Sequence, residues 1–478
     1  MKEKDNISNN IKKVLLVFLL CFIVLISYIT YFEMVVGPKI VDNQANRRLW
    51  VKRNEVLRGT IYDRNGKALT QSERVDKETQ KRIYTGGEIF SHILGYVDIK
   101  YGITGLERKY DAELMSTDIK DNIKSLIENK GKKQEKLGDS LKTTLDYDVQ
   151  SKAYELLGDN KGAVVVLNPK TGAVIAMVSK PSFNPNNLQE IWSSVNSDKS
   201  MPLLNRATSG LYPPGSTFKT VTAISALENL GGIQSRSFND NGELYISSGY
   251  SLHDFAGESF GNISFKDAYV KSSNVVFGTL ALELGNDKLK QTAEEFYFNK
   301  AIPTDGIAVE PSRFPTLKSN EKGNIAQSGI GQSSDLATPL QMALIASTVA
   351  NDGAMPKPYL VNQVITSKGK VVKDIQPENI GQIITPNVAN TMKNFMRSVV
   401  QEGTGVNAAV DGVEVCGKTG TADHQENGVD ATPHSWFIGF GPYNDPQVAV
   451  AVIVEDGGQG GIAAASIASQ VMRMVINK

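Results

Sequence analysis

The strongest hydrophobic pattern is a continuous apolar run near the N-terminus, from Val14 to Phe32, which contains no charged residue. Its length suits a bilayer-spanning helix, which needs roughly 20 apolar residues. A buried core helix would be expected to show a polar face, and this run has none. We therefore predict a transmembrane helix at residues 14–32. Residues 1–13 are too few to form a domain, so they are predicted to be a cytoplasmic tail, with the functional part of the chain outside the cytoplasm.

Residues 33–140 show a different pattern, rich in charged and turn-forming residues. The tetrapeptide Asp63 to Gly66, between Ile61 and Leu69, predicts a hairpin turn that joins two short strands. Ser116 to Ser140 are dense in Lys, Asp and Glu and are predicted to form a solvated helix and a linker. We therefore predict a small N-terminal pedestal module at residues 33–140, with a domain boundary near residue 140.

From residue 141 onward, longer apolar runs alternate with turn signals. A helix is predicted from Ser216 to the glycines at 231 and 232, and another at Ala463 to Ile476. Strands are predicted at 163–167, 173–178, 413–421, 435–441 and 447–455. Early strands, intervening helices and three consecutive strands before a closing helix predict an α+β domain at 141–478. Its core is expected to be an antiparallel sheet flanked by helices.

The overall composition narrows the function. The chain has 478 residues with 51 basic and 51 acidic side chains, so its formal net charge is zero. Nucleic-acid-binding domains usually present a basic surface, and this balance argues against that function. The four His and two Cys are too few for a disulfide scaffold or a zinc-finger array. The chemistry therefore has to be sought in individual motifs.

Ser216 and Lys219 are the first residues with catalytic potential. They open a predicted helix and lie three positions apart, so their side chains share one helix face. A lysine that is buried or near another cation has a lowered pKa and can act as a base for a serine. The free N–H groups at a helix N-terminus also favour a developing negative charge. The pair therefore indicates a serine nucleophile with a lysine base.

The S-x-x-K pattern alone is weak, because the chain contains it twice more, at Ser319–Lys322 and Ser367–Lys370. Both copies lie in loop-like sequence, where nothing fixes the two side chains relative to each other. K-T-G also occurs twice. Its first copy, Lys170-Thr171-Gly172, is predicted to be a turn at the tip of the 163–178 hairpin.

Sequence context selects two further motifs. Ser272-Ser273-Asn274 lies between apolar segments, so its polar side chains are predicted to be buried and to need hydrogen-bond partners. Lys418-Thr419-Gly420-Thr421 lies in a strand-like run, where a glycine costs stability and often marks a close approach by a ligand.

In this chain order, the Ser216, Ser272 and Lys418 motifs resemble the three active-site motifs of penicillin-binding proteins and serine β-lactamases. Other segments resemble signatures of the class B penicillin-binding proteins. They are Arg58 to Gly66, Gly105 to Glu107, Thr144 to Asp146 with Gln150, Leu204 to Ala207, and Gly329 to Gln341. The resemblance covers essentially the whole chain after the apolar run, and it implies the fold of the penicillin-binding transpeptidases and serine β-lactamases.

The resemblance implies a monofunctional peptidoglycan D,D-transpeptidase, which cross-links stem peptides through a serine acyl-enzyme formed at D-Ala-D-Ala. Four residues would be catalytic: Ser216 as nucleophile, Lys219 as base, Ser272 as proton relay to the leaving D-alanine, and Lys418 as a cation that tunes the local field. Four would bind substrate: Asn274, Thr419, Gly420 and Thr421. The backbone N–H groups of Ser216 and Thr421 would form the oxyanion hole.

The resemblance also implies partners and a location. β-Lactam antibiotics would mimic D-Ala-D-Ala and block Ser216. No glycosyltransferase domain fits the sequence, so the family implies a polytopic membrane glycosyltransferase as partner, and a single-pass protein in the bacterial cell membrane. Arg58, Asp63 and Glu107 would be structural residues that tie the pedestal module to the catalytic domain.

No cofactor is expected, although one cluster raises the question of zinc. Cys416, His424 and His434 lie close together in the sequence, and their side chains are of the types that zinc prefers. Their spacing matches no closed zinc site. The alternative is that Cys416 is a small core residue and that the histidines belong to a hairpin loop.

Two other functions compete with transpeptidation. A D,D-carboxypeptidase or β-lactamase of the same fold would need a base positioned to activate water, and the sequence shows none. A non-catalytic scaffold or antibiotic sensor would be expected to lose Ser216, Lys219 or Lys418, and all three are present.

Overall fold

The computed structural model of the chain describes residues 2–36, 50, 53–76, 79–116, 135–247, 249–426 and 428–477. The chain begins with a long helix, α1 (Lys2–Tyr31), continued by a π-helical turn at Phe32–Val36. Among the described residues, Ile11–Val36 is the one helical stretch long and apolar enough to cross a bilayer, with a mean hydropathy of 2.7. None of its most apolar part is buried in the protein. The structure thus has a helix over the segment 14–32, with an earlier start, and the membrane span itself stays a prediction.

The N-terminal module is built from short elements. Its strands are β1 (Val56–Leu57), β2 (Ile61–Tyr62), β3 (Thr70–Arg74), β4 (Gln80–Tyr84), β5 (Val97–Asp98), β6 (Gly102–Ile103), β7 (Lys136–Leu137) and β8 (Ser140–Thr143). Its helices are α2 (Ser91–Leu94), α3 (Gly105–Lys109) and α4 (Asp111–Leu114), with a 3₁₀ turn at Gly87–Phe90. Residues 117–134, in the predicted solvated helix and linker, lie outside the described residues.

The predicted hairpin turn after Ile61 is confirmed. Tyr62 bridges Ala68, and the Asp63 carboxylate accepts hydrogen bonds from the backbone N–H groups of Asn65 at 2.8 Å and Lys67 at 2.7 Å. A short acidic side chain that bonds its own backbone stabilises such turns. The second Asp63 oxygen accepts a bond from the N–H of Tyr147 at 3.3 Å, so this residue also contacts the C-terminal part of the chain.

A buried ion network holds the N-terminal module together. Glu107 is fully buried and is paired with Arg58 at 2.5 Å and with Arg82 at 2.7 Å, while Arg58 also bonds Asp111 at 2.5 Å. Burial alone would raise the pKa of Glu107, but the two arginines outweigh it and hold the pKa below its usual value. Arg58 and Glu107 therefore join elements within the pedestal. Arg58, Asp63 and Glu107 were predicted to connect the pedestal to the catalytic domain. Of these three, Asp63 makes such a connection, through its hydrogen bond from the N–H of Tyr147.

Removing Arg58 is expected to destabilise the protein strongly. Arg58→Ala leaves the buried Glu107 with one arginine instead of two, and breaking a buried pair costs about 3–5 kcal/mol. The matched control is Lys170→Ala, which removes an ion pair to Asp445 whose side chains are 54% and 66% exposed. That change is expected to cost less than about 1 kcal/mol. Denaturant unfolding of both variants measures the difference, and equal losses would contradict the expectation.

The rest of the chain forms the larger α+β part. Its strands are β9 (Gly162–Leu167), β10 (Val174–Lys180), β11 (Ser237–Asp240), β12 (Glu243–Ser247), β13 (Tyr250–His253), β14 (Gly261–Ser264), β15 (Ala354–Pro356), β16 (Val361–Ile365), β17 (Val371–Asp374), β18 (Asn379–Gln382), β19 (Cys416–Ala422), β20 (Gln425–Glu426), β21 (Val429–Asp430), β22 (His434–Gly441) and β23 (Val448–Val454).

The helices of this part follow the same chain order. They are α5 (Tyr147–Leu156), α6 (Leu188–Ser197), α7 (Arg206–Ser209), α8 (Lys219–Asn229), α9 (Phe265–Lys271), α10 (Asn274–Glu295), α11 (Lys322–Ser328), α12 (Pro339–Ala350), α13 (Pro386–Glu402) and α14 (Ala463–Ile476). Short 3₁₀ turns lie at Pro185–Asn187, Gly215–Phe218, Ile233–Ser235, Phe255–Gly257 and Val406–Ala408.

A five-stranded antiparallel sheet, in the order β10-β9-β23-β22-β19, forms the centre of this part. Side chains alternate between its faces, so Val164 and Val166 belong to one apolar cluster with residues of helix α14, while Val165 belongs to the cluster on the other face with residues of helix α12. Both faces are covered, which is why the central strands read as continuous apolar runs. All five predicted strands and the closing helix are confirmed to within a few residues.

The two parts of the chain share a second sheet, in the order β17-β16-β8-β2. Strand β8 pairs in parallel with β2 of the N-terminal module and antiparallel with β16 of the larger part. The boundary predicted near residue 140 therefore falls within a strand that both parts use.

Candidate active site

Ser216 lies on a tight turn that begins a helix, as predicted. The turn is a 3₁₀ segment, Gly215–Phe218, and α8 continues it from Lys219. Gly215 has a φ of 53°, and a Cβ there would lie 2.5 Å from the carbonyl oxygen of Thr421, so the turn packs directly against strand β19. The Ser216 side chain is half-buried and lines a cavity of about 380 Å³.

Lys219 is fully buried and its ammonium group points at the Ser272–Asn274 segment. Its Nζ donates hydrogen bonds to the Ser272 carbonyl at 2.6 Å, to Asn274 Oδ1 at 2.7 Å and to Ser272 Oγ at 3.3 Å. Burial lowers the pKa of Lys219 to about 7, because Asp254 and Asp240 only partly offset the loss of water. A lysine with this pKa is neutral in a large fraction of molecules near neutral pH and can accept a proton.

Ser272 lies between two lysines. Lys418, on strand β19, donates to Ser272 Oγ at 2.8 Å and is as deeply buried as Lys219. Burial, together with the nearby Lys219, holds the pKa of Lys418 well below its usual value. Ser272 itself is the C-cap of α9 and has a left-handed backbone (φ 62°, ψ 38°). Such a conformation is uncommon for serine and is typical of functional sites that the surrounding structure holds in place.

The predicted substrate-binding residues of strand β19 differ in what they face. Thr419 and Thr421 line the cavity, where the Thr419 hydroxyl bonds that of Thr404 at 2.6 Å. Gly420 faces the other way, and a Cβ there would lie 2.9 Å from Thr217 Cγ2. The close approach that this glycine indicates is therefore made by the chain's own Ser216 turn, and not by a ligand in the cavity.

The structure thus brings seven of the eight predicted site residues to one cavity or its immediate wall. Ser216, Ser272, Asn274, Thr419 and Thr421 line it, and Lys219 and Lys418 lie beneath Ser272. Among the described residues, no hydrogen bond to the Ser216 hydroxyl is formed. Lys219 instead bonds the Ser272–Asn274 segment, which the spacing of Ser216 and Lys219 alone did not indicate.

Sequence reasoning missed three residues of this site. Asp240 accepts a hydrogen bond from the Ser273 hydroxyl, and Asp254 accepts one from the backbone N–H of Asn274. The Thr404 hydroxyl bonds that of Thr419. The only signal for Thr404 is its place between two glycines after a helix. The aspartates lie in separate short strands and loops, and no motif distinguishes them from other acidic residues.

The fold divides the group of Cys416, His424 and His434, for which zinc was weighed as an alternative. Cys416 begins β19 opposite Phe440, whereas His434 lies opposite Ala422 at the other end of the same strand pair. His424 stacks on His434 with ring centroids 3.8 Å apart, and His424 Nε2 lies 3.1 Å from Asp456. Cys416 is buried and donates to the carbonyl of Lys393 instead, which fits the alternative of a small core residue. Cys416 therefore lies apart from the two histidines, which are grouped with Asp456 instead.

The pKa of Lys219 makes a pH dependence of acylation expected. Below pH 7 the protonated fraction of Lys219 grows, so the rate of acylation by a β-lactam is expected to fall about tenfold for each pH unit. The sign follows from the predicted role of Lys219 as the base, since a base must be neutral to accept the Ser216 proton. Stopped-flow acylation rates between pH 5 and 8 measure this fall in rate. A rate independent of pH in this range would contradict the expectation.

Comparisons with known proteins identify the family. The penicillin binding protein transpeptidase domain matches residues 162–473, and the penicillin binding protein A dimerisation domain matches residues 58–139. The chain is 32% identical to the peptidoglycan D,D-transpeptidase PbpA of Mycolicibacterium smegmatis, over 96% of this chain and 97% of that protein.

Solved structures give the same result. The ceftriaxone acyl-enzyme of penicillin-binding protein A from M. tuberculosis is similar with a TM-score of 0.82 and 28% identity, covering 89% of this chain and 100% of that one. The D,D-transpeptidase domain of a peptidoglycan glycosyltransferase from Eggerthella lenta has a TM-score of 0.79 and 32% identity, with 88% and 99% covered. With these matches and the three motifs gathered around one cavity, the chain belongs to the class B penicillin-binding proteins.

Proposed function

We propose that the protein is a peptidoglycan D,D-transpeptidase that cross-links stem peptides through an acyl-enzyme on Ser216. The observation that carries this proposal is the convergence of two buried lysines on Ser272, beside a serine that faces an open cavity. Lysines with lowered pKa values can move protons to and from neighbouring hydroxyl groups without the help of a histidine or a metal.

In the first half-reaction, Ser216 Oγ attacks the carbonyl carbon between the two D-alanines and its proton passes to Lys219. The C–O bond of the ester forms, and the C–N bond to the last D-alanine breaks. The leaving amine needs a proton, which Ser272 donates and Lys418 or Lys219 replaces through the hydrogen bonds that join them. In the second half-reaction, the amine of another stem peptide attacks the ester, its proton returns through the same groups, and Ser216 is released.

The cavity offers the groups that such an acyl transfer requires. Strand β19 is the edge of the five-stranded sheet, so a peptide can align along it. The hydroxyl groups of Thr419 and Thr421 would bind the terminal carboxylate, and Asn274 would hold the substrate amide. Backbone N–H groups of Ser216 and Thr421 would stabilise the oxyanion, since the turn of Ser216 packs against Thr421. A β-lactam presents a similar carbonyl and carboxylate, and opening its ring would leave Ser216 acylated.

We assign the chain to a membrane on its N-terminal helix. Residues 1–13 would be a cytoplasmic tail, 14–32 the membrane span, 33–140 a pedestal and 141–478 the transpeptidase domain outside the cytoplasm. Peptidoglycan polymerisation would be supplied by a polytopic membrane glycosyltransferase. This partner is inferred from membership of the family. A pull-down of the full chain from membranes tests it.

The decisive experiment is covalent labelling of the full chain, in detergent, with a fluorescent penicillin. We expect one adduct per chain, which digestion and mass spectrometry place on the peptide that contains Ser216. An adduct that persists for many minutes supports a transpeptidase, whereas rapid loss with release of penicilloate would indicate a β-lactamase. Absence of labelling would contradict the proposed function.

A further inference from the structure

A second cavity, of about 670 Å³, lies between the pedestal module and the catalytic domain, and the mechanism above does not use it. Helices α2 and α3 of the pedestal form one wall, and strand β10, helix α7 and the loop at 304–308 form the other. We call this cavity the junction cleft. Its wall includes Arg108, Lys109, Met177 and Thr208.

Strand pairing places the junction cleft relative to the active site. Across the five-stranded sheet, each residue of one row is paired with the next, in the order Met177, Val165, Ala451, Ile438 and Lys418. Directly paired residues have their side chains on the same face of a sheet. Neighbouring strands lie about 4.8 Å apart, so four spacings separate the two ends of the row by about 19 Å. The cleft and the active site therefore flank opposite edges of one face and are separate sites.

The junction cleft carries positive charge that its own wall does not neutralise. Arg108 and Lys109, at the end of α3, are exposed, and neither side chain forms an ion pair or hydrogen bond with the residues that the structure describes. No Asp or Glu is found among the described residues of the wall. Burial lowers the pKa of His92, the remaining titratable group there, to about 4, so this histidine is neutral. Two cations thus face the cleft unopposed.

A buried hydroxyl group adds a second, independent feature. Thr208 is 2% exposed and lines the cleft, yet its hydroxyl forms no hydrogen bond within the described part of the chain. Its backbone groups are both used, since the N–H donates to the carbonyl of Asn205 at 3.2 Å and the carbonyl accepts the N–H of Glu310 at 2.8 Å. Buried polar groups normally have hydrogen-bond partners. A ligand with an acceptor oxygen would supply one for Thr208.

We propose that the junction cleft binds carboxylate groups of peptidoglycan stem peptides, as a second contact with the polymer apart from the acylation site. This inference rests on the proposed function, which brings that polymer to the protein. A guanidinium group can bind a carboxylate through two parallel hydrogen bonds, and an ammonium group adds a point charge. Arg108 and Lys109 supply these two groups, and the hydroxyl of Thr208 can donate a further hydrogen bond.

The position of the cleft gives this contact a role in cross-linking. The strands that join the cleft to Lys418 form one sheet, so a peptidoglycan strand held at the cleft stays at a fixed distance from Ser216. Tethering one part of a polymer raises the effective concentration of its other parts near a second site. Binding at the cleft would therefore present further stem peptides of the same strand to the active site.

The test blocks the active site before it examines the cleft. The full chain, in detergent, is first acylated with penicillin. Binding is then measured by fluorescence anisotropy with labelled, soluble, un-cross-linked peptidoglycan strands from which both terminal D-alanines have been trimmed, so they lack the bond that Ser216 attacks. We expect saturable binding that is lost when the carboxylates of the strands are converted to amides. No binding, or equal binding of the amidated strands, would overturn the inference.

Removing the two cations together is expected to weaken this binding by at least about tenfold, because one charge-assisted hydrogen bond already contributes that much to an affinity. The variant is Arg108→Gln combined with Lys109→Gln. Its matched control, Lys100→Gln combined with Lys136→Gln, removes two exposed pedestal cations that lie outside the wall of the cleft. The control should bind as the wild type does. Equal losses in both variants would indicate attraction to overall positive charge and would contradict a site at the cleft.

A third variant fills the cleft without changing its charge. Ala308 is exposed and lines the cleft, so Ala308→Trp can place an indole there without displacing the core. We expect a similar loss of strand binding and an unchanged unfolding temperature; binding at the wild-type affinity would contradict the site.

Vesicles that contain anionic phospholipid test the other source of negative charge. If the Arg108 and Lys109 double variant loses vesicle binding but keeps strand binding, the cleft serves the membrane and the inference is wrong. Failure of the chain to be acylated by penicillin would contradict the proposed function. Failure of the acylated chain to bind strands would contradict this inference alone.

Discussion

Ser216→Ala is expected to abolish the covalent penicillin adduct completely. The substitution removes the only atom that the proposed mechanism joins to the substrate carbonyl, and no neighbouring group replaces it. The Ser216 side chain is half-buried and forms no hydrogen bond within the described part of the chain, so the fold should not depend on it. We therefore expect an unchanged unfolding temperature together with loss of the adduct, measured by gel fluorescence and intact mass.

The matched control uses a serine from a motif of identical spacing. Ser367→Ala changes the S-x-x-K copy at Ser367–Lys370, which lies in the turn between β16 and β17. This variant is expected to label at the wild-type rate. Persistent labelling of Ser216→Ala, or loss of labelling in Ser367→Ala, would contradict the assignment of the nucleophile.

Lys219→Met is expected to slow acylation by about 1,000-fold, within the range for loss of a positioned general base. Methionine keeps most of the buried volume and removes the amine that bonds Ser272 and Asn274. Because a buried amine is costly to desolvate, we expect the variant to be at least as stable as the wild type. Rapid-mixing acylation rates and thermal unfolding, measured on the same samples, separate a catalytic defect from a folding defect.

Lys370→Met provides the comparison for that variant. Lys370 is exposed and follows a serine by three residues in the same way as Lys219 does. Its replacement should leave acylation and stability unchanged. A loss below about tenfold in Lys219→Met would mean that another group accepts the Ser216 proton, with Lys418 as the next candidate because it also bonds Ser272.

The sequence was sufficient to predict the parts of the fold that local pattern controls. Strands β9, β22 and β23 are covered on both faces, so they appear as unbroken apolar runs, and α14 begins and ends at the predicted residues. The site motifs were also predictable, because Ser216 and Lys418 lie in apolar or glycine-marked contexts that distinguish them from their copies.

Other features depend on contacts between distant parts of the chain. Asp240, Asp254 and Ser273 meet because β11, β13 and α10 pack together, and no local pattern encodes that meeting. The orientation of the Lys219 side chain depends on Ser272. The left-handed backbone of Ser272 turns the Ser272 carbonyl towards the lysine ammonium group. Gly420 was misleading for a similar reason, since a glycine signals close approach without identifying the approaching group.

The strand shared by the two parts of the chain has a consequence for how the protein can be divided. A fragment that begins after β8 would leave β16 with an unpaired edge, and exposed edges are templates for aggregation. The same strand can also transmit a mechanical force between the two parts, because β8 is hydrogen-bonded to β2 in parallel and to β16 in antiparallel orientation. A force applied to the pedestal would therefore reach the catalytic domain through the backbone hydrogen bonds of this shared sheet.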